Sequence, residues 1–177
     1  MILETINHFF KNSVVSIPII TFIISIATNN PFLIFIVIGL VISGIINLTI
    51  KHILKIIFPN KNKAIILYRP NTATSCGASN NDKNYSNEIG LPSGHSQSIW
   101  FFITLLILNM PNYQPIPTIF LILVAMAISF SRLGYFTSLG SACHTPLQVL
   151  CGSLLGIVLA HFFYLFKFDF IQYINYH

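Results

Sequence analysis

Residues 90–102 read GLPSGHSQSIWFF, a polar turn that becomes an apolar helix within a few residues. The segment Pro92–His95 stands where that helix must begin. The start of a helix offers unpaired backbone N–H groups and the positive end of the helix dipole, which together suit an anion such as phosphate. A histidine in the first turn adds a group that can transfer a proton near neutral pH. We therefore interpret this stretch as half of a phosphate-processing site at a membrane surface.

The composition is that of a membrane protein. The chain has 177 residues, of which 54% are hydrophobic and only 7% are charged, with a net charge of +5. An ordinary soluble domain carries roughly a quarter charged residues, so this chain cannot cover a water-facing surface. We expect an integral membrane protein with a single membrane domain over residues 1–177. A nucleic-acid role is excluded because no basic, aromatic-interleaved soluble domain is present.

The pattern of apolar runs predicts an all-α, multi-pass transmembrane bundle of about five spans, at roughly 20 apolar residues per span. The first run is expected to be a retained helix rather than a removed signal peptide. Residues 60–90 form one long polar loop, and a loop of this length is usually functional or disordered. Thr145 can cap the last span, and Pro146 suits its first position. The predicted spans are residues 13–27, 32–50, 93–108, 118–131 and 145–166.

The strongly polar candidates fall on one side of this bundle. Consecutive spans alternate in direction, so the ends of the second and fourth spans and the starts of the third and fifth share one membrane face. The turns of the other face, residues 28–31 and 109–117, carry no charge. Random placement would not sort polar residues by face, so we predict that the active site lies at the face that carries the polar candidates. Its four helix ends carry Arg69-Pro70, Ser93-Gly94-His95, Ser131-Arg132 and His144.

These residue types suit a bound phosphate. Arg69 and Arg132 supply planar forks that match phosphate oxygens. Ser93 and the backbone of Gly94 supply donors at a helix start, where glycine permits close approach. Polar groups at membrane level are costly and usually functional.

Two histidines on facing helix starts supply the chemistry. One imidazole, of His95 or His144, can attack phosphorus while the other donates a proton to the leaving oxygen. Gln148 lies four residues after His144 on the same helix face, and its side-chain oxygen can accept from the second imidazole nitrogen. The four carboxylates of the chain lie in the loop or near the termini. We therefore expect neither a metal ion nor a cofactor.

Three motifs together carry a family resemblance: Arg69-Pro70, Pro92-Ser93-Gly94-His95, and Ser131-Arg132 followed by His144. Over residues 50–160 they resemble the three-part signature of the type 2 phosphatidic acid phosphatase superfamily. The resemblance implies that His144 attacks and forms a phosphohistidine, which water hydrolyses, while His95 acts as general acid and Gln148 orients His144. It implies phosphate binding by Arg69, Ser93, Gly94 and Arg132.

A finer match points to one branch of that superfamily. The segments 91–97, with Trp100, and 144–148 resemble the dolichyl diphosphatases, which have glutamine where most of the superfamily has aspartate. This resemblance implies hydrolysis of a polyprenyl diphosphate to the monophosphate in a lipid bilayer, in the endoplasmic reticulum membrane if the organism is eukaryotic. Ser96, Gln97 and Trp100 are the residues that favour this substrate.

Two alternative functions stay open. Another lipid phosphatase of the superfamily would act on phosphatidate, undecaprenyl diphosphate or lipid A. A non-catalytic membrane protein would bind phospholipid headgroups through a decayed site. The complete set of arginines and histidines argues against decay.

The sequence departs from the family pattern in two places. The loop between Arg132 and His144 is longer than in the family, although its glycines make it flexible enough for His144 to reach the site. The family lysine before Arg-Pro falls on Asn62, which is not a lysine. We choose Lys63 as the phosphate-binding lysine from a set that also contains Lys51, Lys55 and Lys61.

The sequence alone determines neither the pairing of the cysteines nor the side of the membrane that the catalytic face occupies. Cys76 and Cys143 fall in the two loops of the catalytic face, but sequence does not establish a disulfide between them. The count of Lys and Arg places this face in the cytoplasm, whereas the dolichyl resemblance implies the lumen.

Overall fold

The chain folds into helices joined by turns and one longer connection. The computed structural model describes residues 2–73, 76, 85–112, 114–133 and 142–176, with side chains except those of residues 2–11, 63, 175 and 176. Within these ranges it contains six α-helices, one 3₁₀ turn at Lys61–Lys63 and no strand, which confirms the all-α prediction. The helices are α1 (Ile2–Thr28), α2 (Pro31–Ile57), α3 (Gly94–Leu108), α4 (Pro115–Ser131), α5 (Pro146–Tyr164) and α6 (Lys167–Tyr176).

Helix starts follow the local sequence. The Thr145 hydroxyl accepts a hydrogen bond from the Gln148 N–H (3.4 Å), and Gln148 Oε1 accepts one from the Thr145 N–H (3.3 Å). This reciprocal pair is a capping box, with Pro146 in the first turn of α5. Asn30 caps α2 through one hydrogen bond, which its side-chain oxygen accepts from the Phe32 N–H (3.0 Å), and Pro31 follows as the first helical residue. The predicted cap and first residue of α5 are therefore confirmed.

Helix α3 is central and contacts α1, α2, α4 and α5. It approaches α5 most closely at Gly152 and Gly156, where an added Cβ atom would collide with the backbone of Ser93 and Gln97. Because these glycines carry no side chain, the start of α3 lies directly against the first turns of α5. The Ser93 N–H donates a hydrogen bond to the Gln148 carbonyl at this contact (3.0 Å).

Polar side chains are buried in this fold, and apolar ones cover the outside. On α2, Ser43 and Asn47 are 1% and 5% exposed, whereas Ile45 and Leu48 are 58% and 68% exposed. This distribution suits lipid surroundings, because hydrocarbon solvates apolar side chains and leaves polar ones to pair inside. Helices α2 and α5 are long and apolar enough to cross a membrane, and residues 12–28, α3 and α4 form shorter apolar helices. The five-span bundle stays a prediction.

The observed helices differ from the predicted spans at three places. Helix α1 begins at Ile2 rather than at residue 13, because residues 2–12 contain no glycine or proline to stop it. Helix α2 runs on to Ile57. Helix α6 was not predicted; it packs on α2, with the Phe35 and Phe170 ring centroids 5.3 Å apart.

Candidate active site

Backbone hydrogen bonds bring the helix ends of one face together. The N–H groups of Cys143 and His144 both donate to the Arg132 carbonyl, at 3.1 Å each, which joins the end of α4 to the start of α5. His144 therefore lies beside Arg132 despite the long loop between them. Most of that loop, residues 134–141, lies outside the described residues.

A cavity of about 320 Å³ opens at this face, between α1, α2, α3 and the two loops. The predicted site residues Arg69, Gly94, His95 and His144 line it. Three others, Ser93, Arg132 and Gln148, are buried and do not line it. Among the described residues, no group of three or more histidine, cysteine or acidic side chains could hold a metal ion.

The lysine in this cavity is Lys51, which lines it together with Arg69. Lys61 instead donates a hydrogen bond to Asn71 Oδ1 (2.7 Å). Lys63 belongs to the 3₁₀ turn, and its side chain lies outside the described ones. One sequence signal favours Lys51: it follows Asn47 by four residues, so two polar side chains share one face of an otherwise apolar helix.

Gln148 sets both the orientation and the tautomer of His144. Its Nε2 amide donates to the carbonyl oxygens of Tyr68 (2.7 Å) and Ile66 (3.1 Å), which uses both amide hydrogens. Its Oε1 lies 3.2 Å from His144 Nδ1. Since an amide oxygen can only accept, the proton must be on Nδ1. His144 Nε2 is then the ring nitrogen with a free lone pair.

Buried positive charge surrounds His144. Burial, followed by the charge of Arg69, lowers the pKa of Arg132 to about 10. Burial also lowers the pKa of Arg69, against the opposing effect of Glu88. Burial and then Arg69 lower the pKa of His144 well below its ordinary value, so its imidazole is neutral at pH 7.

Among the described residues, the buried Nε donors of Arg69 and Arg132 have no hydrogen-bond partner. Buried donors are nearly always paired in native proteins. Two guanidinium groups that repel each other, each with an unpaired Nε donor, are surroundings that an anion would stabilise.

Two residues after the histidine motif, Gln97 and Trp100, contact other helices and do not line the cavity. Gln97 donates from Nε2 to Ser43 Oγ (2.8 Å), and Asn47 Nδ2 donates to Gln97 Oε1 (2.7 Å). Trp100 donates from Nε1 to Ser129 Oγ on α4 (3.1 Å). Ser96 is also buried. Gln97 and Trp100 thereby hold α3 against α2 and α4, while the substrate that Ser96, Gln97 and Trp100 favour stays a prediction.

Comparison with known families gives one match. The model of the PAP2 superfamily matches residues 32–172, a range that includes every predicted site residue. Searches of the curated proteins and of the solved structures found no match. The match confirms the superfamily that the motifs predicted, and it does not distinguish the dolichyl diphosphatase branch. The chain belongs to the PAP2 superfamily.

Proposed function

We propose that this protein is a multi-pass membrane enzyme that hydrolyses a polyprenyl diphosphate to the monophosphate. Its superfamily indicates a phosphatase of the lipid phosphatase type. The observation that carries the chemistry is the contact between Gln148 and His144, which leaves Nε2 unprotonated at a cavity that Arg69 also lines.

In the first step, His144 Nε2 attacks the terminal phosphorus, and the bond from phosphorus to the bridging oxygen breaks. His95 donates a proton to that oxygen, so the lipid monophosphate leaves as a stable group. Arg69, Lys51 and the N–H groups at the start of α3 stabilise the charge on the phosphoryl oxygens. Arg132, which donates to the carbonyl of the cavity residue Cys76, supplies the second guanidinium group.

In the second step, a water molecule attacks the phosphohistidine, and the phosphorus–nitrogen bond breaks. His95 has lost its proton in the first step, so it can accept one from the attacking water. Inorganic phosphate leaves, and His144 returns to its neutral form. All the groups in both steps belong to the chain, apart from the lipid and water.

A second cavity supports a substrate with two phosphates. It has a volume of about 270 Å³ and is lined by Lys51, His52, Lys55 and Glu88, among others. Lys51 lines both cavities, so one lysine side chain borders the two spaces that neighbouring phosphates would occupy. The resemblance to the dolichyl diphosphatases points the same way.

The inner side of the catalytic cavity supports a lipid substrate. Val14, Gly44 and Leu48 line it, and among the described residues nothing beyond the adjoining part of α2 lies within 4 Å of the place where a Gly44 Cβ would stand. Hydrocarbon attached to the phosphate can leave the cavity beside this glycine. Phosphatidate, undecaprenyl diphosphate and lipid A share this chemistry, so they are the alternative substrates.

Phosphate release from purified protein in detergent with EDTA tests the proposal. Dolichyl diphosphate, undecaprenyl diphosphate and phosphatidate are offered in parallel, and we expect the fastest release from a polyprenyl diphosphate. His144→Ala should reduce turnover by at least about three orders of magnitude, as for other covalent nucleophiles. His161→Ala is the control, because this α5 histidine is exposed and its Nδ1 donates to the Ile157 carbonyl of its own helix (2.9 Å).

Each outcome has a distinct meaning. A phosphohistidine trapped without acid in the wild type, and lost in His144→Ala, supports the mechanism. Release that requires an added metal would contradict it. Binding of the lipids without any phosphate release would favour the non-catalytic alternative.

A further inference from the structure

A disulfide joins the two loops of the catalytic face. Cys76 follows Arg69 in the connection between α2 and α3, and Cys143 directly precedes His144. The two cysteines are bonded, with their Cα atoms 5.5 Å apart across a sequence separation of 67 residues. Both are buried, in a small cluster with Ala73.

Each arginine of the site reaches a cysteine of the opposite loop. Arg132 donates from Nη2 to the Cys76 carbonyl (3.2 Å), and Arg69 donates from Nη1 towards the Cys143 carbonyl (3.5 Å). The N–H groups of Cys143 and His144 donate to the Arg132 carbonyl (3.1 Å each). The disulfide therefore lies at the centre of a crossed set of contacts that joins both guanidinium groups to the nucleophile.

A covalent link has a physical reason at this place. Arg69 and Arg132 are both buried, and the charge of Arg69 contributes to the lowered pKa of Arg132, so the two guanidinium groups repel each other. The carbonyls that they contact are neutral and offset only part of this repulsion. The disulfide opposes the separation of the loops until an anion enters.

We propose that Cys76 and Cys143 are positioning residues, whose disulfide holds Arg69 and Arg132 at the spacing that binds a phosphate group. This inference rests on the proposed function, since it assigns the arginines to phosphate binding. A dithiol reductant cleaves the bond: two electrons and two protons pass to Cys76 and Cys143, and the reductant becomes a disulfide. The loops can then separate, and the affinity for phosphate falls.

The experiment measures the binding of inorganic phosphate by calorimetry, and KM and kcat for the lipid diphosphate, before and after treatment of the full-length protein with dithiothreitol. We expect the Kd for phosphate and the KM to rise about tenfold or more, the effect of losing one charge-assisted hydrogen bond. The helix content by circular dichroism should not change, and reoxidation should restore the affinity. Cys151→Ser is the matched control, because Cys151 is free; it should respond to the reductant as the wild type does.

The double variant Cys76→Ser/Cys143→Ser removes the disulfide without a reductant, so it tests the same loss of affinity even if dithiothreitol does not reach the buried bond. It should bind phosphate as weakly as the reduced protein and should not respond to dithiothreitol. Equal phosphate affinity with and without the disulfide would overturn the inference. Loss of affinity only in step with loss of helix content would also overturn it, as would free Cys76 and Cys143 thiols in the native protein.

Failure of the proposed function looks different. An oxidised protein that binds phosphate but releases none from any lipid would contradict the catalytic proposal. The binding measurement would still decide the role of the disulfide. An oxidised protein that does not bind phosphate would contradict both.

Discussion

At the scale of single residues, a neutral side chain holds the nucleophile candidate. Gln148 accepts from His144 Nδ1–H as a carboxylate would, but it adds no negative charge to stabilise an imidazolium. Burial is the largest cause of the lowered pKa of His144. The groups that face it lower this pKa further: Arg69, Lys51, Arg132 and His95. The imidazole therefore stays neutral without a carboxylate partner.

This arrangement predicts the pH dependence of the reaction. Falling pH protonates His144 Nε2 and removes the nucleophile, so kcat/KM falls only below the lowered pKa, which lies well under 6.5. Gln148→Glu places a carboxylate against Nδ1–H, which raises the pKa of His144 and moves the acid limb of the profile to higher pH. A pH–rate series on both proteins checks this. An acid limb at the same pH in both proteins would mean that it reports protonation of the substrate phosphate rather than of His144.

Lys55 provides a test of the second cavity. It lines that cavity beside Lys51, so Lys55→Ala should raise KM for a lipid diphosphate about tenfold, the value of one charge-assisted contact. KM for a lipid monophosphate should not change, because its phosphate fills only the catalytic cavity. Lys61→Ala is the control, since Lys61 binds Asn71. Equal effects on both substrates would contradict a second phosphate position.

At the scale of elements, the pairing of α3 with α5 builds the phosphate end of the site. Glycines on α5 let the backbone of Ser93 approach the first turns of that helix, and the Ser93 N–H reaches the Gln148 carbonyl. The start of α3 and the histidine that begins α5 are thereby held in one rigid unit. Small changes at this contact move both halves of the site.

Gly152→Ala tests this contact. The new Cβ would collide with the Ser93 backbone, so the helices must separate, at a cost of roughly 1–3 kcal/mol in the free energy of unfolding. Phosphate release should fall as well, because Ser93 and Gly94 move with α3. Gly44→Ala is the control for stability, since its Cβ would meet nothing within 4 Å. Thermal unfolding in detergent measures both, and equal stability of the two variants would contradict the close approach.

At the scale of the whole molecule, the disulfide indicates which side of the membrane the catalytic face occupies. Disulfides persist in oxidising compartments and are rare where cytosolic thiols are kept reduced. We therefore expect the catalytic face in the lumen, the periplasm or outside the cell. The excess of basic residues on this face indicates the opposite side, but that count includes Lys51 and Arg69, which line the catalytic cavity.

Labelling of introduced cysteines tests the orientation and the number of spans. In a Cys151→Ser background, Asn60→Cys should react with an impermeant maleimide from the exoplasmic side. Thr28→Cys and Asn112→Cys, in the turns of the opposite face, should react only after permeabilisation; all three native residues are exposed. The reverse pattern would contradict the orientation, and labelling of all three from one side would contradict the multi-pass topology.

The sequence by itself determined the features that depend on neighbours along the chain. The helix cap at Thr145 and the long apolar runs need only contacts within about four residues, so they could be predicted. The motifs identified the superfamily in the same way. The alternation of spans also predicted that Arg69, His95 and His144 share a face, and they line one cavity.

Only the tertiary structure decided which groups meet across long separations. It brought Lys51 to the cavity and paired Cys76 with Cys143. It also let Gln148 Nε2 donate to the carbonyls of Ile66 and Tyr68, and this contact assigns the His144 tautomer. The physical reason is that a helical repeat specifies a face of one helix, whereas the path of a polar loop depends on what packs beneath it. These contacts join residues many positions apart, and no local preference encodes them.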